Sequence, residues 1–223
     1  MPYALRRNTI ALVRLIVENK IKINLRSIIN YSLTLYKEQG IEFDITKVLK
    51  ELNNFILDRL KNYSKEKKIR LDIIESSLMS NDVDNLYKAF KQAEILNRNI
   101  KKEIGKDIVG IYKRSFNILN NEIFKNKLEL SNSVDTGLFK SDFEKKLYIK
   151  IQDVKKYFIN EGRNDNFEEI LQELFKFKQE VNSFFDNVKV NDENELIKKN
   201  RLELLNLLCK SFDNFFNFSK IEG

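Results

Sequence analysis

The sequence predicts an all-α protein. Three observations carry the prediction. The 223 residues include only six Gly and one Pro, whereas hairpins and sheet turns draw heavily on both. Apolar residues recur at spacings of three and four through most of the chain, the mark of one buried helix face. No window of four to eight residues alternates apolar and polar as a half-buried strand does.

The elements follow in order. An apolar helix follows Arg7 and ends in Glu18. Asn24 suits an N-cap for a helix carrying Leu25, Ile28, Ile29 and Leu35, with Gly40 just past its end as a left-handed stop. Asp44 or Thr46 starts the next, whose apolar face is Val48, Leu49, Leu52, Phe55, Ile56 and Leu60. A short helix over about 72–79 precedes one opened by Asp82 that carries Val83, Leu86, Phe90, Ala93 and Leu96. From Arg98 the stripe is Ile100, Ile104, Ile108, Ile111, Ser115 and Ile118. Residues 128–141, rich in Ser, Asn, Thr and Gly, read as a loop. Ser141 and Glu144 form a capping box for a helix bearing Phe143, Leu147, Ile151, Val154 and Phe158, with Gly162 as its end. One helix then carries Phe167, Ile170, Leu171, Leu174 and Phe177 toward Phe184 and Phe185. Asp192 and Glu195 repeat the capping-box spacing ahead of a last helix reaching about Phe218.

Composition narrows the chemistry. There is no His, which removes the commonest general base and metal ligand, and a single Cys, Cys209, which excludes an internal disulfide. No apolar run approaches the roughly 18 residues of a membrane span, and the N-terminus lacks a signal-peptide pattern. The cytoplasm is the expected compartment.

The net charge of +7 is unevenly placed. Residues 1–26 carry six basic side chains and one acidic; residues 59–70 the same; residues 98–127 eight and three. Each block is a local +5, so the rest of the chain is acidic. Basic blocks on a helical frame suit a polyanion such as a nucleic acid backbone. On a helical wheel Lys102, Lys106, Lys113 and Asn117 lie within about 60° of one another, opposite the isoleucine stripe, with Arg114 at its flank. A solvated surface helix and a helix laid along phosphates both fit that face. In the last helix Arg201 falls inside the apolar arc of Leu204, Leu205, Leu208, Phe212, Phe215 and Phe216. A structural ion pair is expected there, with Asp186 the first choice of partner.

Four colinear segments resemble one family. They are Pro2-Tyr3-Ala4-Leu5-Arg6-Arg7; Arg59-Leu60 with Asp72 and Ile74; Lys113-Arg114 with Asn117-Ile118-Leu119; and Phe184-Phe185-Asp186 with Val188, Val190 and Asn200-Arg201-Leu202. Together they resemble the C-terminal part of the bacterial glycyl-tRNA synthetase beta subunit, including its DALR-type anticodon-binding domain. Tyr112, Ser115 and Met1 depart from the family pattern. The resemblance implies residues 1–95 as the helical end of a preceding domain with an incomplete core and an apolar patch, and residues 96–223 as the anticodon-binding bundle. It implies glycine tRNA and the synthetase alpha subunit as partners, two of each chain in the assembly, with ATP and Mg at the alpha subunit. No cofactor and no catalysis are expected of this chain itself.

Within that resemblance, Lys102, Lys106, Lys113 and Arg114 are candidate phosphate contacts, and Asn117 and Tyr112 candidate base contacts. A helical module that docks on an acidic protein surface, the alpha subunit included, is the competing reading. An enzymatic role would need Asp, Glu or Lys chemistry, and no spacing marks a metal site or a catalytic pair.

Overall fold

The computed structural model describes residues 3–126, 129–160 and 166–222, with the side chains of 79–83, 126 and 160 outside the description. The described residues hold ten α-helices and three short 3-10 turns and no strand. The chain divides into two compact units, residues 1–97 and 98–223. The expected helix end at Gly162 lies outside the described residues.

The first unit contains α1 (Tyr3–Glu18), α2 (Leu25–Glu38), α3 (Ile45–Glu66), α4 (Leu71–Asn81) and most of α5 (Leu86–Asn99). The Asn24 side chain accepts from the Ser27 amide, and Asp44, not Thr46, caps α3 by accepting from the Lys47 amide. The fifth helix begins later than expected. Residues 82–85 form a 3-10 turn, and Asn85 accepts from the Lys88 amide. α1, α2 and α3 all stop in the same way: the residue at the stop turns left-handed and the next amide reaches back five residues (Ile21 to Ile16, Ile41 to Tyr36, Ile69 to Ser64). Gly40 fills this position after α2, but Lys20 (φ 55°) and Lys68 (φ 61°) fill it after α1 and α3. The Asn97 side chain braces the α3 stop, donating to the Lys68 carbonyl and accepting from the Arg70 amide.

Val13, Ile16, Phe55, Ile56, Leu60, Ile73, Ile74, Leu86, Phe90 and Leu96 build this unit's core. α2 contributes little to it. Leu25 and Leu33 are buried, whereas Ile28, Tyr31 and Leu35, one stripe at i, i+3 and i+7, stay exposed, as do Tyr36 and Ile41.

The second unit contains α6 (Glu103–Asn126), α7 (Asp142–Asn160), α8 (Phe167–Phe175), α9 (Phe177–Asn187) and α10 (Glu195–Asp213). α6 packs on α10, and α7 packs on both α9 and α10. The helix expected from Arg98 starts at Glu103, which leaves Ile100 in the preceding turn. Gly105 is needed at this start: a Cβ there would stand 2.2 Å from the Asn99 carbonyl oxygen. The single helix expected over 167–185 is interrupted at Lys176, whose amide is shared between the Gln172 and Glu173 carbonyls. The last helix ends at Asp213 and is followed by a 3-10 turn over Phe218–Lys220.

The expected loop after α6 is pinned to α10. The Ser131 and Asn132 amides donate to the buried Glu203 carboxylate, and Asp135 exchanges backbone hydrogen bonds with the Asn200 amide side chain. The Ser141–Glu144 capping box forms as predicted, with Glu144 accepting from the Lys140 and Ser141 amides, each at 2.8 Å. The second capping box does not form. Asn194 caps α10 instead, accepting from Leu196 and Ile197, and Asp192 is engaged elsewhere.

That engagement involves Arg201, which is 6% exposed. Its Nε donates to Glu144 Oε1 at 2.8 Å, and its Nη1 donates to Asp192 Oδ2 at 2.7 Å and to the Lys189 carbonyl at 2.8 Å. The wheel argument for a buried, paired guanidinium therefore holds. Its partner was misassigned: Asp186 is exposed on the last turn of α9, and Glu144 and Asp192 take the role.

Candidate nucleic-acid interface

The three basic blocks behave differently. In the 59–70 block, Lys61 pairs with Glu75, Lys67 with Glu18 and Arg70 with Asp72, while the Arg59 guanidinium covers the Phe55 ring at 4.6 Å. In the first block Arg14 pairs with Glu66 and Arg26 with Asp84. These five cations are paired within their own unit, whereas Arg6, Arg7, Lys20, Lys65 and Lys68 have no carboxylate partner among the described residues.

On α6, Lys106, Lys113 and Arg114 have no carboxylate partner among the described residues. Lys106 and Arg114 are exposed and Lys113 is half-buried. Arg114 lies over the Phe185 ring with 4.2 Å to its centroid, a cation–π contact. Lys102 stands exposed in the turn before the helix and donates to Asn99 Oδ1 at 3.0 Å. Asn117 is exposed one turn beyond Lys113. The structure thus brings Lys106, Lys113, Arg114 and Asn117 onto one side of α6, with Lys102 just ahead of it.

Tyr112 does not belong to this set. It is 1% exposed and donates its hydroxyl proton to Asp213 Oδ1 at 2.8 Å. Phe116, Phe212 and Phe218 surround its ring at centroid distances of 5.6–5.8 Å, and burial pushes the phenol well above its ordinary pKa. A base cannot reach it. The sequence wheel had centred the buried arc on the isoleucines. In the structure α10 draws it round to Ile108, Ile111, Tyr112, Ser115 and Leu119, leaving Ile104 and Ile118 half-exposed.

The same face holds residues that the wheel passed over. Gly110 lies between Lys106 and Lys113, exposed, and a Cβ built on it meets nothing within 4 Å. Packing does not require a glycine there, and in mid-helix it costs about 0.5–1 kcal/mol relative to alanine. It does leave bare backbone between two lysines, where a bulky chain can come close. Further along, Asn120 and Asn121 are exposed, and Phe124, five turns on from Lys106, is 88% exposed. The signal for these residues was present in the sequence as amides on the lysine side of the wheel, and Phe124 stood out only by breaking the polar pattern.

At the end of α6, Glu122 turns inward. Lys198 on α10 donates to its carboxylate at 2.8 Å and, more than any other contact, holds it below the ordinary carboxylate range. This pair fixes how α6 lies on α10, so the exposed face is set by a structural contact on the opposite side. Chemically the face offers point charges, a planar guanidinium, carboxamides and an aromatic ring. Groups of these kinds are the ones through which proteins contact unpaired polynucleotides.

Comparison with known proteins adds the following. Residues 2–79 match the family described as glycyl-tRNA synthetase beta subunit, and residues 110–222 match the DALR anticodon binding domain. Similar proteins include the glycine–tRNA ligase beta subunits of Rickettsia prowazekii (strain Madrid E) and Rickettsia typhi (strain ATCC VR-144 / Wilmington), each 32% identical over 220 residues. That of Rickettsia canadensis (strain McKiel) is 30% identical over 221 residues. Each alignment covers 99% of this chain and 31% of the relative, so the chain spans about a third of the length of the curated relatives it matches. No described helix is long and apolar enough to cross a membrane.

Proposed function

Because the chain belongs to the glycyl-tRNA synthetase beta-subunit family and carries a DALR anticodon binding domain in its second unit, we propose that it binds the anticodon arm of glycine tRNA. In this role it supports glycyl-tRNA formation by a larger enzyme. The observation that carries the reading is the cationic face of α6, where Lys106, Lys113 and Arg114 stand together around Gly110 without a carboxylate partner among the described residues, whereas Lys61, Lys67 and Arg70 of the 59–70 block are paired within the first unit. Lys102, Lys106, Lys113 and Arg114 hold phosphates, and Asn117 reads a base edge. ATP, Mg and the chemistry of glycine activation belong to the alpha subunit in this reading, and the compartment is the cytoplasm.

Titration of glycine tRNA and a non-cognate tRNA at several salt concentrations tests it. Lys106→Ala and Lys113→Ala should weaken both tRNAs alike and flatten the log–log salt dependence by roughly 0.7–0.9 each. Asn117→Ala should cost about 1–3 kcal/mol for glycine tRNA and little for the other. Unchanged affinity and slope in both lysine variants would remove α6 from the RNA site.

The exposed α2 stripe of Ile28, Tyr31 and Leu35 supports a second role in the first unit. A run of large apolar side chains in water fits an apolar protein surface, and the alpha subunit is the partner this reading names. Co-purification of the alpha subunit with the wild type but not with Tyr31→Glu tests it.

A further inference from the structure

A second concave feature of the same unit lies away from the α6 face. Residues of α7, of α10 and of the loop pinned to α10 enclose a cleft of about 520 Å³, within the size range of small-molecule sites. Its floor is apolar: Ile151, Leu207 and the Phe158 and Phe215 rings, whose centroids are 4.3 Å apart. Its rim carries the carboxamides of Asn132, Gln152 and Asn214 and the Ser211 hydroxyl. Two lysines, Lys155 and Lys210, stand over it, and no Asp or Glu lines it. Lys155 is exposed and has no carboxylate partner among the described residues. Lys210 donates to Asn132 Oδ1, as does Asn206, so Asn132, itself in a left-handed backbone conformation at φ 63°, is held at the rim. Asp213, three residues on from Lys210, accepts from the Tyr112 hydroxyl and also feels the Lys210 charge, so Lys155 is the ammonium of the cleft that the described carboxylates leave unpaired.

Aromatic floor, carboxamide rim and an ammonium without a carboxylate partner are the three things an unstacked nucleotide requires. The partly exposed Phe158 ring, backed by the buried Phe215, takes the base, the amides match the donors and acceptors on its edge, and Lys155 takes its phosphate. An acidic peptide without an aromatic side chain would leave the aromatic floor unused. We propose that this α7–α10 cleft receives one splayed-out base of single-stranded RNA, with the adjoining phosphate on Lys155. The proposal rests on the RNA-binding reading above and adds to it a base-recognition site separate from α6.

The chain has no tryptophan, which permits a direct test. Ile159, 63% exposed at the cleft, becomes a reporter in the Ile159→Trp variant. Fluorescein-labelled heptamers of U, C and A are titrated in parallel by anisotropy and by indole emission. Quenching of the indole at the same midpoint as the anisotropy change is expected. Lys155→Ala should weaken binding and lower the salt slope by about 0.7. Phe158→Leu, which keeps the position apolar but removes the ring, should weaken it about fivefold or more with an unchanged circular dichroism spectrum. Gln152→Ala should alter the ranking of the three heptamers. RNA binding that leaves the indole emission unchanged and is insensitive to Lys155→Ala and Phe158→Leu, but sensitive to Lys113→Ala, overturns the cleft and keeps the α6 interface. Absence of any RNA binding by the wild-type chain overturns both.

Discussion

Replacing Gly110 with alanine separates the needs of folding from those of binding. The residue sits in the interior of the 24-residue α6, and its added Cβ would meet nothing within 4 Å. Gly→Ala should therefore deliver the full helix-propensity gain of about 0.5–1 kcal/mol. For a chain of this size each kcal/mol moves the melting temperature by roughly 2–4 °C, so a rise of about 1–4 °C is expected. If RNA backbone approaches α6 between Lys106 and Lys113, the same methyl stands in its path and lifts it away from both ammonium groups. Losing one charged hydrogen bond, roughly 1.5 kcal/mol, would weaken binding about tenfold. The assay is thermal denaturation followed by circular dichroism, paired with anisotropy titration of labelled glycine tRNA. A more stable variant with affinity within twofold of wild type would refute the close approach. A variant no more stable than wild type would refute the reading of open space around the residue.

Arg201→Ala breaks a buried pair and should destabilise the chain by about 3–5 kcal/mol, measured by urea unfolding. Lys68→Gly relieves a left-handed φ of 61° and should stabilise by about 0.5–1 kcal/mol in the same assay, with RNA affinity unchanged. Because the Glu122 carboxyl is held below its ordinary value of 4.5, its contribution is complete above that pH and is lost as the pH falls through the lowered value. Urea midpoints measured from pH 7 to pH 3 should fall on the acid side for wild type and fall less steeply for Glu122→Gln.

Most of the fold could be read locally. Asn24, Asp44 and the Ser141–Glu144 box act through amides three residues away, and Gly40 through its own backbone, so short stretches of sequence contain the whole cause. The errors arose where distant groups compete for the same atoms. Asp192 has the spacing of a cap, but Arg201 claims its carboxylate and Asn194 caps in its place. Tyr112 adjoins the Lys113-Arg114 segment and lies outside the isoleucine stripe, so nothing local marks it as buried. Its burial is decided by Phe212, Phe218 and Asp213, roughly a hundred residues on. The α6 lysines were legible because one helix carries them all. The α7–α10 cleft was not, since three separate segments supply its walls.

The two oxygens of Glu144 serve different masters. Oε2 completes the start of α7 by accepting from the Lys140 and Ser141 amides, while Oε1 accepts from Arg201 on α10, 57 residues later. Arg201 in turn closes on Asp192 and the Lys189 carbonyl. An ordinary helix start frays independently of the rest of a protein, and its first amides exchange with solvent quickly. Here opening the first turn of α7 releases a buried guanidinium, so those two amides should exchange only when the whole second unit opens. The start of α7 is thereby tied to the slowest cooperative event in its unit, and this part of the bundle must complete late, after its C-terminal helix has arrived.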